Sequence, residues 1–235
     1  MRVPIVARAV RRAQRLGLRI SRIPLARTLG VVEGAENCLY LDRFTADSAV
    51  IDVGCADDAN FSLHMIERYA LTSFGVDPTR KHKSSLDAHV AANGGKFVHV
   101  PLAVSDASGP LTFHESVHSA SGSLESEHHN VKDGQTRSYE VNAVTLDGLL
   151  DSLSMPTADY LKLDLEGAEY RVLSSVSRAT LDRFGQIFVE FHHHCMPQYT
   201  PQDTLAIARK MEQFGFSAFS YDDHNYLFFR AANSP

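Results

Sequence analysis

Residues 160–169 read YLKLDLEGAE, an apolar run of strand type that ends in Asp164, Glu166 and Glu169. A second such run, QIFVEFHHHC at 186–195, ends in Glu190 and His192. A strand's period of two places Lys162, Asp164 and Glu166 on one side of the first run, and Glu190 with His192 on one side of the second. A lysine and two acids inside a core strand are costly unless they pair or bind something. Three uses are open if neighbouring strand ends bring these groups together. Asp164, Glu190 and His192 are a ligand set for a divalent cation. Asp164, Glu166, Glu190 and His192 are also the material of a general base that removes a hydroxyl proton. The third use is an ion-pair network around Lys162. Glu169 falls in the first turn of the next helix, where the helix dipole alone favours an acid. His192, His193 and His194 alternate faces, so they cannot all reach one ion, and His128-His129 in a polar stretch is expected to be solvated.

The elements that position these residues alternate. AVIDVGC (49–55) is a strand, followed by a helix over 58–70 with Asp58 as its N-cap. TSFGVDP (72–78) is the second strand, and its helix stops at Asn93-Gly94-Gly95. KFVHVPLAVS (96–105) is the third. LTFHES and RSYEVNAV are strands around a stretch rich in Ser, His and Gly, and TLDGLLDSL is a short helix. YLKLDL is the fourth core strand, with one helix expected over 168–184, and QIFVEFHH the fifth. A helix opened by Thr200 and Pro201 leads into FSAFSYD and NYLFFRA, joined by a tight turn and therefore antiparallel. The fold class is α/β: a doubly wound, mostly parallel seven-stranded sheet with a closing antiparallel hairpin. The main domain is expected over 47–235, with a polar insertion at 114–140, behind a helical extension at 1–46.

Ligands of such sheets bind beyond the C-terminal strand ends. Gly54 opens the first such end, beside Cys55, and lets the backbone approach a ligand. Asp52 lies inside the strand, where an acid needs a partner. Asp77 ends the second strand at the spacing from Gly54 that suits an acid accepting both ribose hydroxyls. The stretch GCADDA (54–59) is no dinucleotide fingerprint, and Asp57-Asp58 would repel a pyrophosphate but tolerate a cationic ligand. Ser105 and Asp106, after the third strand, suit an adenine ring or an ordinary turn.

The net charge is −5, with 44% hydrophobic and 22% charged residues, ordinary for a globular chain. Eight arginines and no acid precede Glu33, while the remainder carries 15 basic and 28 acidic residues. Val6, Val10, Ala13, Leu16 and Ile20 share one stripe of an amphipathic helix and the arginines another. Such a helix packs on the acidic body of its own domain, lies on an anionic membrane surface through residues 1–30, or reaches a nucleic acid. No apolar run is long enough to span a bilayer, no secretory signal is evident, and the three cysteines suggest no disulfide framework. A cytoplasmic location, with peripheral membrane contact through the arginine-rich arm, is the expectation.

VIDVGCADDANFS, GVDP, PLAVSDASGPLTF, VTLDGLL, YLKLDLEGAEYRVL and IFVEF, in that order, resemble the FkbM-type S-adenosylmethionine-dependent methyltransferases. The resemblance spans 49 to about 191, and LKLDLEGAE is its most specific piece. Two departures stand out: Asp57-Asp58 where the family usually has a second glycine, and Asp77-Pro78 where it has Glu-Pro. The resemblance implies the class I methyltransferase fold, S-adenosylmethionine (SAM) as cofactor, and O-methylation of a sugar, glycan or secondary-metabolite hydroxyl. By the same token Asp52, Gly54, Cys55, Asp77, Ser105 and Asp106 would lie on the cofactor side. Asp164, Glu166 and Glu190 would line the acceptor side, with 117–136 as a substrate loop. No nucleic-acid partner is implied. The alternative class is a non-catalytic module of the same fold that recruits a partner or membrane through its arginine-rich arm.

Overall fold

A computed structural model describes residues 5–119, 122–128 and 136–230, and their side chains from residue 17 onward. The chain opens with helix α1 (Ile5–Leu29) and a two-stranded ribbon, β1 (Val31–Glu33) with β2 (Leu39–Leu41). The alternating part follows as β3 (Ala49–Val53), α2 (Asn60–Tyr69), β4 (Thr72–Val76), α3 (Lys83–Ala92) and β5 (Phe97–Val100). Next come the short strand β6 (Ala103–Val104), then β7 (Gly109–Ser116), β8 (Gly122–Ser123) and β9 (Thr136–Val144). The last part is α4 (Leu146–Ser152), β10 (Ala158–Leu163), α5 (Glu169–Ser175), α6 (Arg178–Leu181), β11 (Phe184–Glu190), α7 (Pro201–Gln213), β12 (Ser217–Ser220) and β13 (Asn225–Phe229).

The main sheet has seven strands in the order β12-β13-β11-β10-β3-β4-β5. Neighbouring pairs from β11 to β5 are parallel, and β13 runs antiparallel to both β11 and β12. This is the doubly wound sheet with a closing hairpin that the alternation implies. The order reverses after β3: the chain goes outward to β4 and β5, then returns to β10 on the other side of β3. That reversal opens a crevice beyond the C-terminal ends of β3 and β10.

Alternation along the strands sends side chains to two cores. Ile51, Leu161, Leu163, Ile187 and Phe228 pack with α4, α5 and α7. Val50, Tyr160, Phe188, Leu227 and Phe229 pack with α2, with the buried run Cys38–Leu41 and with Ala26 of α1. The end of α1 is held by Arg22, which donates to the Ser220 carbonyl and to Asp223, and by an Arg19–Glu33 ion pair. Ile20 and Leu25 of the same helix face outward, 58% and 51% exposed. Among the described residues no helix is long and apolar enough to cross a membrane.

Three expectations are corrected. The strand 96–105 is two: Pro101 has no N–H for the ladder, Leu102 N turns back to the Val100 carbonyl, and β6 joins a second sheet of order β6-β9-β7-β8. The flanks of the polar insertion belong to that sheet, since Gly109–Ser116 pairs antiparallel with Thr136–Ala143 along its whole length. The helix over 168–184 breaks at Val176, which is extended, and Ser177 caps a new turn by accepting from Thr180 N. Asp58 does not cap α2: Ala59 is the N-cap, in the left-handed region (φ 46), and the Asp58 carboxylate accepts from the Asn60 side chain instead.

Gln186 fastens the ribbon to the sheet. Its side-chain oxygen accepts from Leu41 N (2.7 Å) and its amide donates to the Leu41 carbonyl (3.1 Å), all of it buried. Gln186→Leu leaves both backbone groups without a partner, and urea unfolding is expected to show a loss of about 2–4 kcal/mol.

Candidate active site

Lys162 stands at the centre of the strand ends. It is opposite Asp52 in the β10–β3 ladder, and both are fully buried. Its Nζ is 3.2 Å from Asp52 Oδ1 and 3.8 Å from Asp164 Oδ2, and it donates to Glu36 Oε2 (3.0 Å) and to the Gly54 carbonyl (3.2 Å). Burial would drive the ammonium toward its neutral form, but Asp52 and the other acids hold its pKa well above the ordinary value. Asp52 also accepts from Ser62 Oγ (2.7 Å).

Immediately after β10 the chain makes a turn that only certain residues allow. Glu166 (φ 49) and Gly167 (φ 110) both take positive φ. A Cβ on Gly167 would come within 2.7 Å of Met196. Across the crevice Gly54 (φ 78) lies so close to this turn that a Cβ would stand 2.0 Å from the Asp164 carbonyl. The two strand ends are thereby drawn together, and the side chains of Asp164 and Glu166 meet His192, which follows β11.

His192 Nε2 is 3.5 Å from Asp164 Oδ1 and 3.6 Å from Glu166 Oε2. Its Nδ1 is 3.2 Å from Glu169 Oε1, which also accepts from His192 N (2.8 Å), while Glu169 Oε2 accepts from Gly167 N. Glu169 is fully buried, so it orients the imidazole besides starting α5. Burial alone would lower the His192 pKa, but Glu169, with Asp164 and Glu166, raises it well above the usual imidazole value. Burial pushes the Asp164 carboxyl up, and Glu190 and Glu166 add to this against the opposing charges of Lys162 and His192. His128 Nε2 is 2.8 Å from Glu166 Oε2. Ser123 Oγ donates to the Glu166 carbonyl, and Arg171 bridges α5 to Glu125. The described part of the insertion thus clasps the turn.

Asp164, Glu166 and His192 are brought together as the strand pattern suggested, with ligand atoms all within 4.8 Å of one another. Glu190 is not in that group; it ends β11 opposite Asn225 and reaches Asp164 only through its charge. On the other side, an open cleft is lined by Gly54, Asp77, His82, Phe113, Asp164 and Glu166, among others. Asp77 accepts from Thr79 N (2.8 Å), Ala56 N (3.1 Å) and His82 Nδ1 (3.3 Å). Burial would raise its pKa, but these partners keep it below the ordinary carboxylate value. His82 Nε2 is buried in the cleft wall with no hydrogen-bond partner.

Asp52, Cys55, Ser105 and Asp106 are not cleft residues. Asp52 is consumed by Lys162 and Ser62. Cys55 packs in an apolar cluster with Phe97 and Leu86. Ser105 and Asp106 bond to each other beside a separate depression lined by Asp147 and Thr180, because β6 turns away with the second sheet. His128, expected in solvent, is buried against Glu166, whose carboxylate supplies its partner. His129 lies outside the described residues. Glu36, His82 and His128 carry no sequence signal of their own, since each arrives from a loop or an irregular turn.

Lys162→Met strands Asp52 as a buried acid without its cation and takes the partner of the solvent-reaching Glu36. Denaturant unfolding should show a loss of about 3–5 kcal/mol, and adding Asp52→Asn should return at least about 1 kcal/mol of it.

A family model described as the methyltransferase FkbM domain matches residues 46–218. No curated protein matches the chain in sequence. Among solved structures, M. capricolum TrmK in complex with S-adenosyl-homocysteine aligns at 11% identity and a TM-score of 0.41, over 79% of this chain and 62% of that one. A Methanococcus jannaschii fibrillarin aligns at 8% identity and a TM-score of 0.47, over 79% and 67%. An O-methyltransferase family protein from Burkholderia thailandensis aligns at 11% identity and a TM-score of 0.43, over 95% and 60%. With its family model covering the sheet from β3 to β12 and the whole DLEG turn, the chain belongs to the FkbM methyltransferase family and takes S-adenosylmethionine as its cofactor.

Proposed function

We propose that the chain is an O-methyltransferase acting on a hydroxyl of a sugar, glycan or secondary-metabolite acceptor. The observation that carries this reading is the pair Asp164 and Glu166, backed by His192, at one wall of the cleft whose other wall holds Asp77. The residues present suit the cofactor. The walls are apolar at Val76, Leu102, Val104 and Phe113, as an adenine requires. Asp77 is held ionised by its partners and, with three of its about four lone-pair sites in use, has one left, on Oδ1, for a ribose hydroxyl. His82 Nε2 is a buried polar atom in want of a partner. Acids along the Asp164 side suit a cationic headgroup.

SAM, when bound, supplies a methyl group already activated by its sulfonium. The chain's own task is therefore to orient an acceptor oxygen and take up its proton. Asp164 faces the cleft at the closest approach of the two strand ends and is the group that receives the hydroxyl proton. His192, held by Glu169, fixes the direction of the Asp164 carboxylate, and Glu166 accepts from a neighbouring acceptor hydroxyl. Two adjacent carboxylates favour a polyhydroxylated acceptor, which offers donors to both at once.

Calorimetry of the purified chain with SAM is the first test. Asp77→Ala should weaken binding at least about tenfold, because a buried ribose contact and the anchor of the Ala56 loop are lost together. Asp164→Asn should keep SAM affinity within about threefold while lowering kcat on a hydroxyl acceptor by about 10²–10⁴. Full turnover by Asp164→Asn would sink the assignment of the base.

A further inference from the structure

The Asp164–Glu166–His192 group has a geometry that proton transfer alone does not call for. His192 donates from Nδ1 to the buried Glu169, so in the neutral ring Nε2 presents a lone pair. Nε2 faces two carboxylate oxygens, 3.5 and 3.6 Å away, and would present that lone pair once an arriving cation displaces its proton. These separations are longer than an N–H···O hydrogen bond. They match the edge of about 3.4 Å between neighbouring ligand atoms on a tetrahedron with metal bonds of ~2.1 Å. Asp164 Oδ1 is buried and has no hydrogen-bond partner, so one of the three inward atoms is left unsatisfied by the protein.

Two of the inward groups are also held from behind: Glu169 holds His192, and Lys162 faces the other oxygen of Asp164 at 3.8 Å. His128 Nε2 meets the inward oxygen of Glu166 itself at 2.8 Å, so a bound cation would displace it or share that oxygen with it. Carboxylate–imidazole support of this kind is what fixes the ring of a metal-ligating histidine. The local charge points the same way. Asp52, Glu36, Asp164, Glu166 and Glu169 converge here, and among the described residues Lys162 is the only permanently charged cation that faces them.

We infer that Asp164, Glu166 and His192 form a binding site for a divalent first-row cation of the Mn²⁺ or Zn²⁺ type. Two carboxylates with one imidazole favour such ions over Mg²⁺, which prefers oxygen alone. The position in the cleft wall leaves the remaining coordination sites open toward the acceptor. The use of the ion rests on the methyl-transfer reading above: bound to an acceptor hydroxyl, it would lower the pKa of that hydroxyl. Its existence does not rest on that reading.

The test uses the full chain, stripped with EDTA and desalted, titrated with Mn²⁺ and followed by electron paramagnetic resonance, with Zn²⁺ and Mg²⁺ as competitors. One Mn²⁺ per chain is expected, displaced by Zn²⁺ and only weakly by Mg²⁺, with nitrogen modulation from an imidazole in the spin-echo spectrum. His192→Gln should remove the nitrogen signal and weaken binding at least about tenfold, and Glu169→Gln should weaken it about 10–100-fold while the ring remains present. His224→Ala, in the neighbouring stack of His193, His194 and His224, should leave affinity within about twofold. Circular dichroism and SAM affinity report whether each variant is folded. Absence of Mn²⁺ and Zn²⁺ binding at millimolar concentration, or binding that survives His192→Gln but is lost in His224→Ala, overturns the inference. A chain that binds SAM and methylates an acceptor fully in EDTA overturns the ion's use in methyl transfer and leaves methyl transfer standing. A chain that binds Mn²⁺ through His192 but never binds SAM supports the cation site and counts against methyl transfer.

Discussion

One buried ammonium governs the layout of this molecule. Lys162 sits on the central strand with its charge among Asp52, Glu36 and Asp164, in a place where neither the cation nor the fully buried Asp52 would be tolerated alone. The group can be buried because the ladder fixes Lys162 opposite Asp52, and because Glu36 is delivered by an irregular turn (φ 56) between the strands of the N-terminal ribbon. The ribbon is therefore more than an appendage to the sheet. It supplies one of the lysine's counter-charges and, through the buried Cys38–Leu41 run, part of the core beneath it. Asp164 inherits a share of the same cation, so the side chain that faces the cleft is tied to the strand pairing behind it.

The close approach of the strand ends follows from backbone rather than from side chains. Gly54 leaves no room for a Cβ against the Asp164 carbonyl, and Gly167 none against Met196. Positive φ at Glu166 then turns its carboxylate back toward His192 in place of continuing the strand. The second sheet completes the arrangement from outside. Ser123 Oγ donates to the Glu166 carbonyl, Glu125 pairs with Arg171, and His128 closes over the Glu166 carboxylate. Lys81, just after the Asp77 strand end, donates to the carbonyls of Ser116 and Ser119. The wall that holds Asp77 and the wall that holds Glu166 are thus each fastened to the same insertion, which links the two halves of the cleft mechanically.

The parallel sheet, the closing hairpin and the meeting of Asp164, Glu166 and His192 were legible because they depend on periodicity and on the general rule for strand ends. What was not legible depends on who neutralises whom. Asp52 looked like a ligand-binding acid, since a sequence shows an acid in a strand but not the lysine that a parallel ladder sets opposite it. Glu169 looked like a helix-start residue, and it is one, but only the fold shows His192 beneath it. His128 looked solvated because an insertion's polar composition does not reveal that it folds back onto a buried acid. Ser105 and Asp106 were misplaced by a single proline: Pro101 ends the third strand early, and everything after it leaves with the other sheet. Pattern reading is sound for groups that share an element, and weak for groups that meet through loops.

The two acids that replace the family's second glycine leave the loop after β3 in an ordered, tightly bonded turn. Asp57 and Asp58 are exposed, and Asp58 is engaged by the Asn60 side chain, so neither carboxylate enters the cleft. The backbone freedom that a glycine would supply is found at the flanking alanines. Ala56 (φ 54) and Ala59 (φ 46) both occupy the left-handed region, each at a cost of order 1 kcal/mol or somewhat more. That cost is offset locally. Ala56 N donates to the Asp77 carboxylate and Ala59 N to the Cys55 carbonyl, and Ala59 is fully buried. The small side chain at both positions is what makes this possible, since a β-branched residue there would add a clash to the strain. The loop thus reaches the turn that a glycine would permit by another route, and in doing so it binds itself to the acid at the end of the second strand.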